Sequence, residues 1–197
     1  MRVIAGEAKG HGLNAPPGRR VRPTSDRVRE ALFNILVPDV VGATFLDAYA
    51  GVGAVGIEAL SRGAKSCDFI EADKGLRRYL RTNLEHTGLA GRGRIYLQSV
   101  ERFVAGWGGR DTPYDIVFAD PPYACDPDET AALLRPLVAG LLVYESPKTK
   151  GPEPGFDAYH VVDKREYGGT RLYFLRPRGD GNEAKALLST DSPDHRP

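Results

Sequence analysis

From residue 44 to residue 146, short strand-like runs alternate with segments of helical periodicity. They read TFLDAY, AVGIEALSRGA, SCDFIEA, KGLRRYLRTNLEHTG, RIYLQS, VERFVAGW, YDIVFAD, DPDETAALLRPLVAG and LLVYES. Strands joined through helices pair in parallel, and a parallel sheet is buried on both faces. The chain is therefore expected to be α/β, a Rossmann-like, mainly parallel sheet with helices on both faces. Two further runs, AYHVVDKREYG and TRLYFLR, meet at Gly168–Gly169 and predict an antiparallel pair. In DPDETAALLRPLVAG, Asp126 is the expected cap, Pro127 starts the first turn and Glu129 completes a capping box. Ahead of the alternation, TSDRVREALFNIL (24–36) places Val28, Leu32, Ile35 and Leu36 on one face of a helix capped by Thr24 or Ser25. Residues 2–5 and 12–15 predict a small hairpin, followed by a proline-stiffened arm. The expected division is 1–23 for hairpin and basic arm, 24–178 for the α/β domain, and 179–197 for a disordered polar tail.

A chain of 197 residues, 41% apolar and 27% charged, has enough core for one such domain. Its 27 basic and 26 acidic side chains nearly cancel, so net charge excludes no partner. The distribution says more. Residues 1–30 hold seven Lys/Arg against three Asp/Glu, whereas residues 31–175 hold 16 against 19. A basic N-terminal arm suits a polyanion. Two cysteines give neither a disulfide framework nor zinc spacing, and four histidines are scattered, so no metal is expected. The N-terminus lacks a signal-peptide apolar region, and the apolar window Val40–Leu60 contains Asp47, Glu58 and four glycines. A cytoplasmic, reduced, monomeric protein with no membrane partner is expected.

LDAYAGVGAVG follows a strand and opens a helix, with glycines at 51, 53 and 56 in G-x-G-x-x-G spacing. Glycines there let the backbone turn tightly and approach a ligand closely. Glu71, 20 residues after Gly51, is placed to accept from ribose hydroxyls. The pair points to an adenosine-type cofactor, and NAD fits it as well as S-adenosylmethionine. Asp47 at the strand tip leans away from NAD: its charge opposes a pyrophosphate and suits an ammonium or sulfonium.

DPPY, Asp120 to Tyr123, stands at the end of the strand YDIVFA. Two prolines stop a sheet, remove two N–H groups and leave carbonyls able to accept. An exocyclic amine on a nucleobase is a poor nucleophile because its lone pair is delocalised. Two acceptors for its two N–H bonds orient it and favour the pyramidal form. Asp120 supplies one and the Pro121 carbonyl the other, held stiff by Pro122. The Tyr123 ring can stack on the base. A base that enters must leave its own stack.

At these residues the sequence resembles a known family, the bacterial 16S ribosomal RNA guanine-N2 methyltransferases. RPTSDRVREALFNIL (22–36), LDAYAGVGAVGIEALSRGA (46–64), DPPY (120–123) and YGGTRLYF (167–174) carry the resemblance, which spans residues 2 to about 176. DPPY itself is shared with N6-adenine and glutamine methyltransferases. The resemblance implies a class I S-adenosylmethionine-dependent fold with seven strands, the last antiparallel. It implies cofactor contacts from Asp47, Ala48, Gly51, Gly53 and Glu71, and substrate-amine contacts from Asp120, Pro121, Pro122 and Tyr123. It also implies 16S ribosomal RNA, in the small subunit or its precursor, as partner. Ser99 and the adjoining Val100 occupy the place where relatives hold the adenine amine with Asp or Asn; a hydroxyl accepts more weakly. Arg19, Arg20, Arg22, Thr24, Arg27 and Arg29 are expected to hold RNA phosphates. Two competing readings are an N6-adenine or protein-glutamine methyltransferase and a non-catalytic, RNA-binding ribosome-assembly factor.

Overall fold

The computed structural model describes residues 1–17, 25–107, 112–148 and 153–179. The elements are α1 (Asp26–Val40), β1 (Thr44–Asp47), α2 (Ala54–Ser61), β2 (Ser66–Ile70), α3 (Lys74–His86), β3 (Gly93–Tyr96), α4 (Val100–Trp107), β4 (Tyr114–Ala119), α5 (Pro127–Leu134), β5 (Val138–Pro147), β6 (Tyr159–Tyr167) and β7 (Thr170–Pro177). The strands form one seven-stranded sheet in the order β3-β2-β1-β4-β5-β7-β6. Neighbours from β3 to β5 are parallel, and β7 is antiparallel to both β5 and β6. This is the class I methyltransferase topology.

Helices cover both faces, as a parallel sheet requires. On one face α1, α2 and α3 bury Phe33, Ile57 and Leu84 against Phe45 and Phe69. On the other, α4 and α5 bury Phe103 and Leu134 against Val117 and Tyr144. All eight residues of α2 are buried, so this helix lies inside the protein rather than on its surface. Gly56 explains how it fits: a Cβ there would lie 2.3 Å from the Phe69 ring and 2.7 Å from Cys67 Sγ.

Three expected boundaries are corrected. The helix expected over 126–140 ends at Leu134, because Pro136 cannot continue it; a 3₁₀ turn over Arg135–Leu137 leads into β5, which starts at Val138. Helix α1 runs four residues past the expected Leu36 and holds Pro38 in its last turn, and its cap is Ser25, which accepts from Val28 N–H. The N-terminal hairpin is shorter than expected: an antiparallel bridge, Arg2 to Gly12, is flanked by Val3 N–H to His11 O and Leu13 N–H to Met1 O, both at 3.0 Å. It is nonetheless firmly held. Val3, Ala8 and Leu13 share the core of α1 and α2, and Ile4 and Ala5 N–H donate to the buried Glu58 carboxylate at 2.8 and 3.0 Å. The apolar window from Val40 to Leu60 is divided among the end of α1, β1 and α2, and among the described residues no helix is long and apolar enough to cross a membrane. The tail from residue 180 lies outside the described residues.

Candidate active site

Register brings the two sequence motifs together. Asp47 pairs with Phe118 across β1 and β4, so the glycine loop after β1 and DPPY after β4 leave the same edge of the sheet side by side. Ala48 N–H donates to Phe118 O at 2.9 Å and closes the junction. This is the carboxyl edge at the centre of an open α/β sheet, where such folds bind ligands.

The glycine loop is tied down on all sides. Gly51 and Gly53 have left-handed φ values of +57° and +85°. A Cβ on Gly51 would meet nothing within 4 Å, so that glycine faces open space; a Cβ on Gly53 would fall 2.3 Å from Leu80 Cδ1. Glu71 accepts from Gly51 N–H at 2.8 Å and from Asp73 N–H at 2.6 Å, stapling the loop to the end of β2. Asp47 accepts from Gly56 N–H at 2.9 Å, inside the first turn of α2, and is 2% exposed. Burial pushes its carboxyl up to about 7, and the nearby charges of Asp120 and Glu71 add to the rise. Burial also raises Glu71.

These carboxylates test the cofactor. Three gather at one edge, and their mutual repulsion is part of what lifts Asp47. A cation beside them relieves that cost, and a pyrophosphate adds to it. S-adenosylmethionine, with an ammonium and a sulfonium, suits these carboxylates better than NAD. Among the described residues no cluster of His, Cys, Asp and Glu could hold a metal.

At DPPY, burial raises the Asp120 carboxyl to about 6. Pro121 is buried, whereas Tyr123 is 63% exposed. The expectation that both proline carbonyls are free is corrected: Pro122 O accepts from Cys125 N–H at 2.9 Å, which closes a turn. The motif opens into a cavity of about 330 Å³ between the β4–α5 loop and the ends of β5 and β7. Pro121, Tyr123, Tyr144 and Tyr173 line it together with Asp126, Asp128, Glu145, Glu153 and one guanidinium, Arg171.

The remaining expected residues are distributed as follows. Ala48 is buried in the β1–β4 junction. Ser99 lies at the start of α4, with Oγ 3.4 Å from Arg102 N, and its hydroxyl holds the Glu101 carboxyl below the usual range. Val100 is buried beneath it. Arg27 is exposed. Arg29 is not: it is 0% exposed, with Nη2 donating to Arg2 O and to Asp26 at 3.1 Å, and Nε 3.6 Å from Glu58. The expectation that Arg29 holds RNA is corrected, since a guanidinium enclosed by the core cannot reach a phosphate. It braces α1 and the N-terminal segment against α2. Arg19, Arg20, Arg22 and Thr24 lie outside the described residues.

Sequence reasoning missed Asn83, a fully buried amide on α3 that bonds Val52 in the glycine loop. The available signal was an amide between the apolar positions Leu80 and Leu84. Arg171 and Glu153 were missed because the cavity wall is assembled from segments far apart in sequence.

The model of the family described as Conserved hypothetical protein 95 matches residues 1–176. The chain belongs to this family. Ribosomal RNA small subunit methyltransferase D of Escherichia coli is 37% identical over 190 residues, covering 94% of each chain. A solved Escherichia coli structure described as a candidate methyltransferase is 36% identical, with a TM-score of 0.77 over 90% of this chain and 97% of that one. An RNA methyltransferase from Salinibacter ruber, solved with S-adenosyl-L-homocysteine, shares the fold at 14% identity with a TM-score of 0.63, covering 82% of this chain and 97% of that one. The chain is thus a methyltransferase by family and a class I methyltransferase by fold.

Proposed function

We propose that this protein transfers a methyl group from S-adenosylmethionine to the exocyclic N2 amine of a guanine in 16S ribosomal RNA, in the small subunit or its precursor, acting as a monomer in the cytoplasm. The observation that carries the reading is the register that sets DPPY beside the acidic glycine loop, with the Asp120 charge acting on Asp47 and Pro121, Pro122 and Tyr123 lining a cavity. The name of the Escherichia coli relative supports the ribosomal substrate.

The cofactor, when bound, supplies an electrophilic methyl group on a sulfonium. Gly51 and Gly53 give it a close backbone surface, Glu71 offers carboxylate oxygens to its ribose, and Asp47 stabilises its positive charge. Asp120 and Pro121 O take the two amine N–H bonds and aim the lone pair. Most of the rate then comes from this placement. Once the amine carries the methyl group and a positive charge, Asp120 accepts the surplus proton. Its raised value suits that role, because a carboxyl near 6 is ionised at neutral pH yet holds a proton better than a solvated one.

The choice of guanine rests on the resemblance carried by residues 22–36, 46–64, 120–123 and 167–174, and the cavity beside DPPY is compatible with it. Its wall carries Asp126, Asp128, Glu145 and Glu153 beside Arg171, with Asp126 capping α5, Asp128 accepting from Phe156 N–H and Glu153 paired to Lys164 and Arg171. Guanine presents N1–H and N2–H₂ as adjacent donors on its Watson–Crick edge, whereas adenine sets an acceptor beside its amine. Two acceptors placed along that edge therefore suit guanine better than adenine. The reading is tested by methyl transfer from labelled cofactor to small subunits lacking the modification, followed by digestion and mass spectrometry. N2-methylguanosine is the expected product. N6-methyladenosine would keep the chemistry and replace the base, and no nucleoside product would reject an RNA substrate.

A further inference from the structure

We infer that Asn83 is a positioning residue for the cofactor loop, and that through it the N-terminal segment forms part of the cofactor site; this rests on the cofactor reading above. Asn83 is 0% exposed on α3. Its Nδ2 donates to Val52 O at 2.9 Å and to Asn14 O at 3.0 Å, while its Oδ1 accepts from Asn14 N–H at 2.8 Å. One buried amide thus joins two segments that have no sequence proximity to it, 31 and 69 residues away.

The chemistry selects the residue type. The position needs two donors and one acceptor in a short planar group, which asparagine provides and no apolar side chain does. Leucine or methionine would suit the apolar neighbours Leu80 and Leu84 but would leave buried backbone groups unpaired. Val52 is itself 2% exposed and sits between Gly51 and Gly53, the two residues with left-handed φ that shape the loop. Fixing its carbonyl fixes the Val52–Gly53 peptide plane. Asn14, by contrast, is an exposed residue at the end of the N-terminal segment, where the basic arm begins. A shift of that segment is transmitted to Val52 through a single side chain.

The experiment is calorimetric titration of S-adenosyl-L-homocysteine into the full chain, with melting temperature recorded in parallel, for wild type, Asn83→Ser, Asn14→Pro and Thr87→Val. Thr87 is the control: it is buried at the C-cap of the same helix, and its hydroxyl donates to the helix carbonyls Asn83 O at 2.8 Å and Leu84 O at 3.2 Å. Asn83→Ser is expected to raise the dissociation constant about tenfold. Asn14→Pro, which removes the N–H donated to Asn83, is expected to raise it about threefold. Thr87→Val is expected to lower the melting temperature and leave the dissociation constant within twofold. Dissociation constants within twofold of wild type in both asparagine variants would overturn the inference and leave Asn83 a core residue only. Should Asn83→Ser fail to fold, the exposed Asn14→Pro decides alone. A wild-type protein that gives no binding heat would instead overturn the cofactor reading on which the inference stands.

Discussion

The two loops at the centre of the sheet edge are built in opposite ways. The glycine loop is held by side chains from three directions: the half-buried Glu71 just after β2, and the buried Asp47 from β1 and Asn83 from α3. In the DPPY loop Pro122 O and Cys125 N–H close a turn, and Tyr123 is 63% exposed at the edge of an open cavity. A small ligand of fixed shape rewards a site that is complete before it arrives, because less ordering cost is left to binding. A base drawn from a structured RNA brings its own surroundings, and an exposed aromatic platform can settle on it. The two halves of the site should therefore fail independently when each is damaged.

Asp120→Ala should give the largest effect. Turnover should fall about 10²–10⁴-fold through loss of the acceptor and proton carrier, while the affinity for S-adenosyl-L-homocysteine stays within a few-fold of wild type. Single-turnover kinetics beside calorimetry would separate the two, and a parallel collapse of both would break the comparison. Next is Gly53→Ala, whose Cβ meets Leu80 at 2.3 Å on a backbone at φ +85°. Strain of this kind costs about 1–3 kcal/mol. It should appear as a lower melting temperature together with weaker cofactor binding, since the loop and the core are one structure here. Tyr123→Ala should then weaken substrate RNA by about 1–3 kcal/mol of lost stacking, with cofactor affinity unchanged; filter binding to small-subunit RNA would show it, and Tyr123→Phe should restore most of the loss. Ser99→Ala should be the mildest, raising the cofactor dissociation constant only a few-fold, because the hydroxyl already serves the start of α4. A hundredfold loss would mean that Ser99 holds the adenine amine directly.

Much of the fold was legible because parallel strands and their helices carry unambiguous periodicity, and DPPY and the glycines are short, contiguous signals. Glu71 could be picked out because its spacing from Gly51 is fixed by one strand–helix–strand unit. What stayed hidden depends on pairs distant in sequence. Arg29 looks like one more basic residue of the arm until the fold sets it against Glu58 and Arg2. Pro122 offers a carbonyl on paper, and the turn to Cys125 takes it. The helix expected over 126–140 misleads because Val138–Gly140 continue its apolar pattern, while Pro136 decides that they enter the sheet. The cavity wall joins α5 to β5 and β7, which no local pattern encodes.

The central claim is that the glycine half of the site is ready for a cationic adenosyl cofactor before RNA arrives. The direct measurement is calorimetric titration of S-adenosylmethionine, and separately of NAD, into the RNA-free protein between pH 7 and pH 6. Asp47 carries a carboxyl near 7 in the free protein. A cation favours its ionised form, so binding releases a proton, and affinity falls as pH drops through 7. The account predicts S-adenosylmethionine binding that weakens up to about fivefold from pH 7 to pH 6, below the range near 8 where the ligand's own α-amino group titrates, with no heat from NAD. NAD binding as tight as S-adenosylmethionine, or an S-adenosylmethionine affinity that strengthens as the pH falls, would contradict it.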